Sequence, residues 1–529
     1  MPDLLNFAID ELKSNLDKYG IEKTWRKILA THLRTNPTFS YILQSREFAK
    51  VGYFGTDLIR DLSIGDISVL YEFSVSYLND SSRKSNGQYF TPDDVAIFMA
   101  SKSKLFGDGT WLDPCSGIGN LSWHLVSIQK DPENFLIHRL KLSDKDPLAL
   151  LIARTVFTLS FQKKFVDLFH RIEKNFVTFD FLSVSENCSP ELFGTSFPIS
   201  EIPVHDYVIV NPPYLATEID FRFETANSSD LYSYFLENII KTSRGFISVT
   251  PQSFTNALKF ESLRSLLLRK FQNLTIYNFD NVPANLFKGI KFGSTNTNHV
   301  NSTRAAIMIA IEGHGSRRIS PLVRWKSDER HLLFQKIENH LSEVPLTDKF
   351  FPKVDQRYRN LYFEVYKLDV LGSLISPKAT NYPLYIPSAP RYFISALITP
   401  VSRASQKCIY FRSAKDRNFA YLLINSSFFY WWWRVRDGGM TLSLETLVSV
   451  PLLQFVVDEK LVSALKRSEK SNKVYKMNAG AAQENVKHPL SLLKRVNDVV
   501  IPKYSNLLII LHQNSDLSAE SKLDINEVK

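Results

Sequence analysis

The chain has 529 residues, 44% of them hydrophobic and 13% aromatic, with a formal net charge of +10. That length exceeds what one hydrophobic core supports and fits two to four domains. Cysteines occur only at 115, 188 and 408, without disulfide-framework or metal-ligand spacing, and no apolar run reaches membrane-spanning length; these features argue against a secreted disulfide scaffold, a zinc module and a membrane protein, and for a cytoplasmic one.

The charge is unevenly placed. Residues 1–313 carry 32 Lys+Arg against 34 Asp+Glu, whereas 314–529 carry 32 against 20, a net of +12. A basic module joined to a nearly neutral one is the electrostatic footprint of a nucleic-acid binder, the alternative being a merely solubilising surface.

In chain order, MPDLLNFAIDELKSNLDKYGIEKTWRKIL sets apolar residues at helical spacing among charges and predicts a pair of surface helices, part of a helical region over 1–82, rather than a secretory signal. From 83 to 313, strand-like segments (TWLDP, FLIHRLKLSD, NFVTFD, YVIVN, GFISVTP, AAIMIAIE) alternate with helical periodicity, which predicts an α/β layer on a mostly parallel sheet. WLDPCSGIGNLSWHL, 111–125, reads as strand, small-residue turn and helix. Gly117 and Gly119 allow a tight turn and close approach of a ligand, and Asp113 with Pro114 directly after the strand suits a cationic ligand better than a pyrophosphate. A glycine-rich connection with no ligand is the alternative.

Asp144 ends the next strand, where a carboxylate can accept from ribose hydroxyls, and Asp146 with Pro147 predicts a capped helix start. Asp180 and Phe181 end the third strand and offer an acceptor and a ring to an adenine. Each acid alone reads as a helix cap; three at successive strand ends, on the edge where open α/β sheets bind ligands, point to a nucleoside cofactor.

DYVIVNPPYL, 206–215, runs a buried strand into Asn211, Pro212, Pro213 and Tyr214. Two prolines fix φ and remove two backbone donors, so the sheet ends and the turn is stiff. An aromatic amine is a poor nucleophile because its lone pair is delocalised into the ring. The Asn211 side-chain oxygen and the Pro212 carbonyl, aimed at its two hydrogens, would draw the nitrogen towards tetrahedral geometry, and Tyr214 would stack on the base.

Taken in order, GQYFTP (87–92), DPCSGIG, SDKDP, FDF, NPPY, GFISVTPQSF with LRSLLLRK, and NLFKGIKF resemble the motifs of the N6-adenine DNA methyltransferases of bacterial restriction-modification systems. The likeness covers roughly 83–313. It implies S-adenosyl-L-methionine as methyl donor, bound by Tyr89, Phe90, Thr91, Asp113, Pro114, Gly117, Gly119, Asp144, Asp180 and Phe181. It further implies base flipping, catalysis by Asn211 to Tyr214, and contact of Tyr214 and Phe287 with the extruded base; a core role for Phe287 is the alternative. The fold implied is a Rossmann-like methyltransferase domain with a helical N-terminal extension and a mixed α+β C-terminal recognition domain.

Residues 314–513 are the expected target-recognition domain, closing with a helix over about 490–512, and 514–529 a loose tail. NSSFFYWWWRVRDGG, 425–439, reads as aromatic core followed by a loop that would bring Arg434 and Arg436 to DNA, with Arg412 and Arg417 adding phosphate contacts. Residues 467–489 are polar and read as a linker. The expected protein is a monomeric, site-specific adenine methyltransferase acting on double-stranded DNA beside a separately encoded restriction endonuclease. A protein glutamine N5-methyltransferase poses the same nitrogen chemistry, and a non-catalytic DNA-binding adaptor is the third reading. A fused nuclease finds no segment of its own size among the 80 or so N-terminal residues.

Overall fold

The computed structural model describes residues 2–78, 91–185, 197–198, 202–287, 291–292, 295–296, 303–389, 393–403, 405–437, 441–478 and 481–518. The chain divides into two compact units, the first comprising Met1–Ile276 and Asn285–Ser316 and the second Tyr277–Ala284 and Arg317–Lys529.

The expected fold class is present. Unit 1 is built on β1 (Trp111–Asp113), β2 (Leu140–Asp144), β3 (Phe176–Thr178), β4 (Tyr207–Val210), β5 (Gly245–Pro251), β6 (Asn273–Phe279, within which the division between units falls) and β7 (Ala305–Ile311). They lie in the order β3-β2-β1-β4-β5-β7-β6. The pairs β1–β2, β2–β3, β1–β4 and β4–β5 are parallel, and β7 runs antiparallel to β5. β4 is a short apolar run buried along its whole length and β7 along all but its last residue, as a sheet covered on both faces requires. The order runs outward from β1 to β3, then restarts with β4 on the other side of β1. That reversal opens a crevice at the C-terminal ends of β1 and β4.

Helix Pro147–Phe161 follows β2 and begins as its sequence dictates. Pro147 takes the first position, and Asp146 accepts from the amides of Leu148 and Ala149 at 2.9 and 3.3 Å. Its far side packs on the N-terminal region, where Trp25, Leu29, Ile42 and Phe73 share a core with Leu148 and Ile152. The N-terminal helices are therefore not a surface pair. Pro2–Arg34 bends at Gly20, which has φ 72°, and with Ile64–Leu78 buries an apolar face. The Trp25 indole nitrogen donates to Ser74 Oγ at 2.9 Å, satisfying the one polar atom of a fully buried ring.

Unit 2 contains an antiparallel sheet of Ile375–Ser376, Gln406–Phe411 and Pro383–Pro387, with helices Ala414–Ile424, Ser427–Arg436, Glu459–Ser471 and Leu490–Val500. Four sequence expectations are corrected. FLIH does not continue a strand: Pro132–His138 is helical, capped by Asp131, and only Leu140–Asp144 is strand. The polar stretch 467–489 is no linker but a helix end followed by an antiparallel hairpin, Lys473–Asn478 with Ala481–Val486, because β pairing needs backbone groups and not apolar side chains. The closing helical stretch reaches His512 but is not continuous: helix Leu490–Val500 breaks before Pro502, which cannot donate within it, and helical turns resume from Ser505. The start of the tail is not loose: Leu517 is buried and Asp516 accepts from the Arg324 guanidinium at 3.1 Å. Among the described residues no helix is long and apolar enough to cross a membrane.

Candidate active site

The crevice holds a cavity of about 370 Å³. Its floor is the turn after β1. Gly117 and Gly119 have φ 54° and 84°, a region that disfavours any residue with a Cβ. Gly119 is fixed twice over, since a Cβ there would lie 2.9 Å from the Phe157 ring and 3.0 Å from Leu142. At Gly117 a Cβ would meet nothing within 4 Å, so this side of the turn faces open space.

Asp144 ties the end of β2 to that turn. Its Oδ2 accepts the Gly117 amide at 2.8 Å and its Oδ1 the Asp146 amide at 3.0 Å. Each carboxylate oxygen keeps a further lone pair, so these bonds leave capacity for a ligand hydroxyl. Asp113 is 1% exposed and takes a hydrogen bond from Ser122 Oγ at 2.8 Å. Burial, with the neighbouring Asp144 charge, pushes its carboxyl up to about 7. Its Oδ1 has no hydrogen-bond partner among the described residues. Burial also raises Asp144 and lifts the Cys115 thiol well above its ordinary value. Asp180 is exposed and accepts its own Leu182 amide at 3.0 Å. Phe181 is buried and stacks on Phe235 with ring centroids 5.3 Å apart.

Asn211 stands at the end of β4, facing the same cavity as Pro213, Asp113, Gly117, Asp144 and Asp180. Its amide Nδ2 donates to Thr91 Oγ1 at 2.9 Å, and Cys115 Sγ donates to its backbone carbonyl at 3.3 Å. Pro212 is buried beneath it. The Tyr214 hydroxyl donates to the Val249 carbonyl at 2.9 Å, and its ring meets Tyr232 and Phe287 edge to face at 6.4 and 6.1 Å. Thus the fold brings Tyr214 and Phe287 together, 73 residues apart in sequence, while neither lines the cavity itself. Tyr89 and Phe90 lie outside the described residues; Thr91 lines the cavity.

The sequence reading missed one wall. Ser68, Tyr71, Glu72 and Val75 of helix Ile64–Leu78 line the cavity, and the Tyr71 hydroxyl donates to Asp146 Oδ2. No local signal marks it, since Tyr71 and Glu72 share the helix with Asp66 and three serines. Among the described residues the lining carries Glu72, Asp113, Asp144, Asp146 and Asp180 against Lys145 alone, a field suited to a cationic ligand.

In unit 2 the arginines differ. Arg412 is exposed. Arg417 donates to Asn418 Oδ1 at 2.9 Å and lies 5.9 Å from the Tyr382 ring. Arg436 pairs with Glu445 at 3.2 Å and covers the Phe350 ring at 4.0 Å. Arg434 is 8% exposed, with its guanidinium on Asp280 at 3.2 Å and on the Leu322 carbonyl. The helix runs through Arg436, so Arg434 is not on a loop and its charge is already taken up within the unit.

Residues 138–287 match the family model described as Eco57I restriction-modification methylase. The match takes in Asp144, Asp180, Asn211 to Tyr214 and Phe287, and begins after the glycine turn. The matched residues lie in the α/β layer, whose strand order above is Rossmann-like. Among solved structures, the DrdV–DNA complex is similar over 74% of this chain and 48% of that one, at 14% identity and a TM-score of 0.41; the chain spans about half that protein's length. The type IIG restriction endonuclease BpuSI is similar over 97% of this chain and 80% of its own, at 12% identity and a TM-score of 0.44. The methyltransferase subunit of a type I restriction-modification system from Streptococcus thermophilus is similar over 65% of this chain and 77% of its own, at 14% identity and a TM-score of 0.35.

Proposed function

We propose that the protein transfers a methyl group from S-adenosyl-L-methionine to the N6 amino group of adenine in double-stranded DNA, as the modification activity of a restriction-modification system in the cytoplasm. The observation that carries this reading is that Asn211 and Gly117 line one cavity, so the side-chain acceptor and a ligand-accepting turn share a single crevice. The residues fit such a cofactor: the buried Asp113 oxygen without a partner suits an ammonium donor, the open side of Gly117 gives room, and the acidic lining favours a cation. When bound, the cofactor supplies an electrophilic methyl group.

The chain's own contribution is placement. Asn211 Oδ1 and the Pro212 carbonyl would accept from the two amino hydrogens of adenine, localising its lone pair, with no strong base required. Stiffness from Pro212 and Pro213 holds both acceptors at a fixed separation. Tyr214, its hydroxyl anchored on Val249, would present a ring face to the extruded base, with Phe287 behind it. Arg412, Arg417 and Arg436 would contribute to DNA contact through the basic C-terminal unit; Arg434 is left out of that set. A separately encoded restriction endonuclease is the implied partner, and the active form is a monomer.

Incubation with methyl-labelled cofactor and duplex DNA is expected to label the DNA. Label on cytosine, or on a glutamine-containing protein acceptor instead, would replace this reading. DNA affinity is expected to fall steeply with salt.

A further inference from the structure

We propose that Thr91 and Asn120 are positioning residues that fix which end of the Asn211 amide faces the substrate, an inference that rests on the methyl-transfer reading above. A carboxamide's two ends are nearly isosteric, yet only the oxygen can accept from an amino group. Turned over, Asn211 would set an N–H against an N–H and lose the hydrogen bond that the reaction needs.

The structure holds the amide through Thr91, and both Thr91 and the Asn211 backbone are tied to the glycine turn. Thr91 Oγ1 takes the Nδ2 hydrogen at 2.9 Å. Thr91 is itself buried, and its carbonyl accepts from Asn120 Nδ2 at 2.7 Å. Asn120 is the first residue of helix Asn120–Ser127, directly after Gly119, and is also buried. From the same turn, Cys115 Sγ donates to the Asn211 backbone carbonyl at 3.3 Å. Thr91 thus links the Asn211 side chain to Asn120 of the turn, which also holds the Asn211 backbone through Cys115, and the acceptor's orientation is inherited from the turn that faces the cavity. Thr91, implied by family resemblance to touch the cofactor, acquires a second task directed at the catalytic asparagine.

The test is a kinetic comparison of Thr91→Val, Thr91→Ser and Asn120→Ala with the wild type. Thr91→Val keeps shape and removes the hydroxyl. It should lower kcat by about 30-fold or more, a loss larger than any accompanying rise in the cofactor Kd measured by calorimetry. Thr91→Ser restores the hydroxyl and should bring kcat back to within about three-fold of wild type; Asn120→Ala should fall between them. A raised cofactor Kd with unchanged kcat in Thr91→Val would overturn the proposal, leaving Thr91 a cofactor contact only. A crystal structure of Thr91→Val separates this from the functional reading, since it needs no activity. A reoriented Asn211 amide supports the relay, and an amide in its original place and rotamer overturns it even if the wild type methylates nothing.

Discussion

Residues 206–215 and 425–437 both stand out in the sequence, one for its prolines and one for its run of aromatics, and the structure treats them in opposite ways. At the end of β4, prolines stop the sheet and leave Asn211 facing a cavity beside a glycine turn. In helix Ser427–Arg436, Phe428, Phe429, Tyr430, Trp431, Trp432 and Trp433 are all buried. Arg434 follows them inward and pairs with Asp280. Rigidity that serves chemistry comes from backbone constraint at an open edge, whereas unusual composition inside a helix builds a core. The buried charges of the second region are structural: burial drives up Asp516, and the Arg324 and Arg434 charges pull it back to well below its ordinary value.

Substitutions at the two places should therefore fail differently. The largest effect belongs to Asn211→Ala, which should reduce methyl transfer by about 10³-fold, through loss of a preorganised acceptor, while calorimetry finds cofactor affinity unchanged. Next comes Arg434→Ala, which leaves Asp280 buried beside an uncompensated gap and should cost about 3–5 kcal/mol in chemical denaturation, with DNA affinity of the still-folded fraction unaltered. Equal loss of DNA affinity without loss of stability would return Arg434 to the DNA surface.

Acidity sharpens the contrast. The Asp113 carboxyl is raised to about 7 in the folded protein, so between its ordinary range and 7 the folded state holds the proton more tightly than the unfolded one. Stability of the free protein should fall as pH rises through that window, because there the native state binds more protons than the unfolded chain. A cationic ligand engages the ionised form, so cofactor affinity should climb about ten-fold from pH 5.5 to 7, and Asp113→Asn should flatten that profile. Smaller effects are expected at the margins. Arg412→Ala should change stability by less than about 0.5 kcal/mol yet reduce the salt slope of DNA binding by about one. Tyr71→Phe removes the hydrogen bond to Asp146 and should weaken cofactor binding by a few-fold, about 0.5–1.5 kcal/mol.

How much was legible follows from the kind of signal each residue carries. The α/β layer and its capped helix after Asp146 could be read because strand burial, proline and cap residues act locally. So could the ordering of Gly117, Asp144, Asp180 and Asn211 along strand ends. The cavity wall from helix Ile64–Leu78 could not, since packing against Asp146 is a contact across 75 residues with no periodic signature. The link from Asn120 through Thr91 to Asn211 is hidden for the same reason. The hairpin at 473–486 has the composition of a linker because polar strands satisfy only their backbones. Arg434 misled because a charge next to a turn-like sequence looks exposed until its partner, Asp280, is seen.

Mass spectrometry of nucleosides from duplex DNA treated with isotopically methyl-labelled S-adenosyl-L-methionine bears most directly on the chemistry assigned to Asn211. The wild type should yield labelled N6-methyladenine, and Asn211→Ala, with its cofactor still bound, should yield none. Labelled N6-methyladenine formed equally well without the Asn211 side chain, or a label found only on another base, would contradict it.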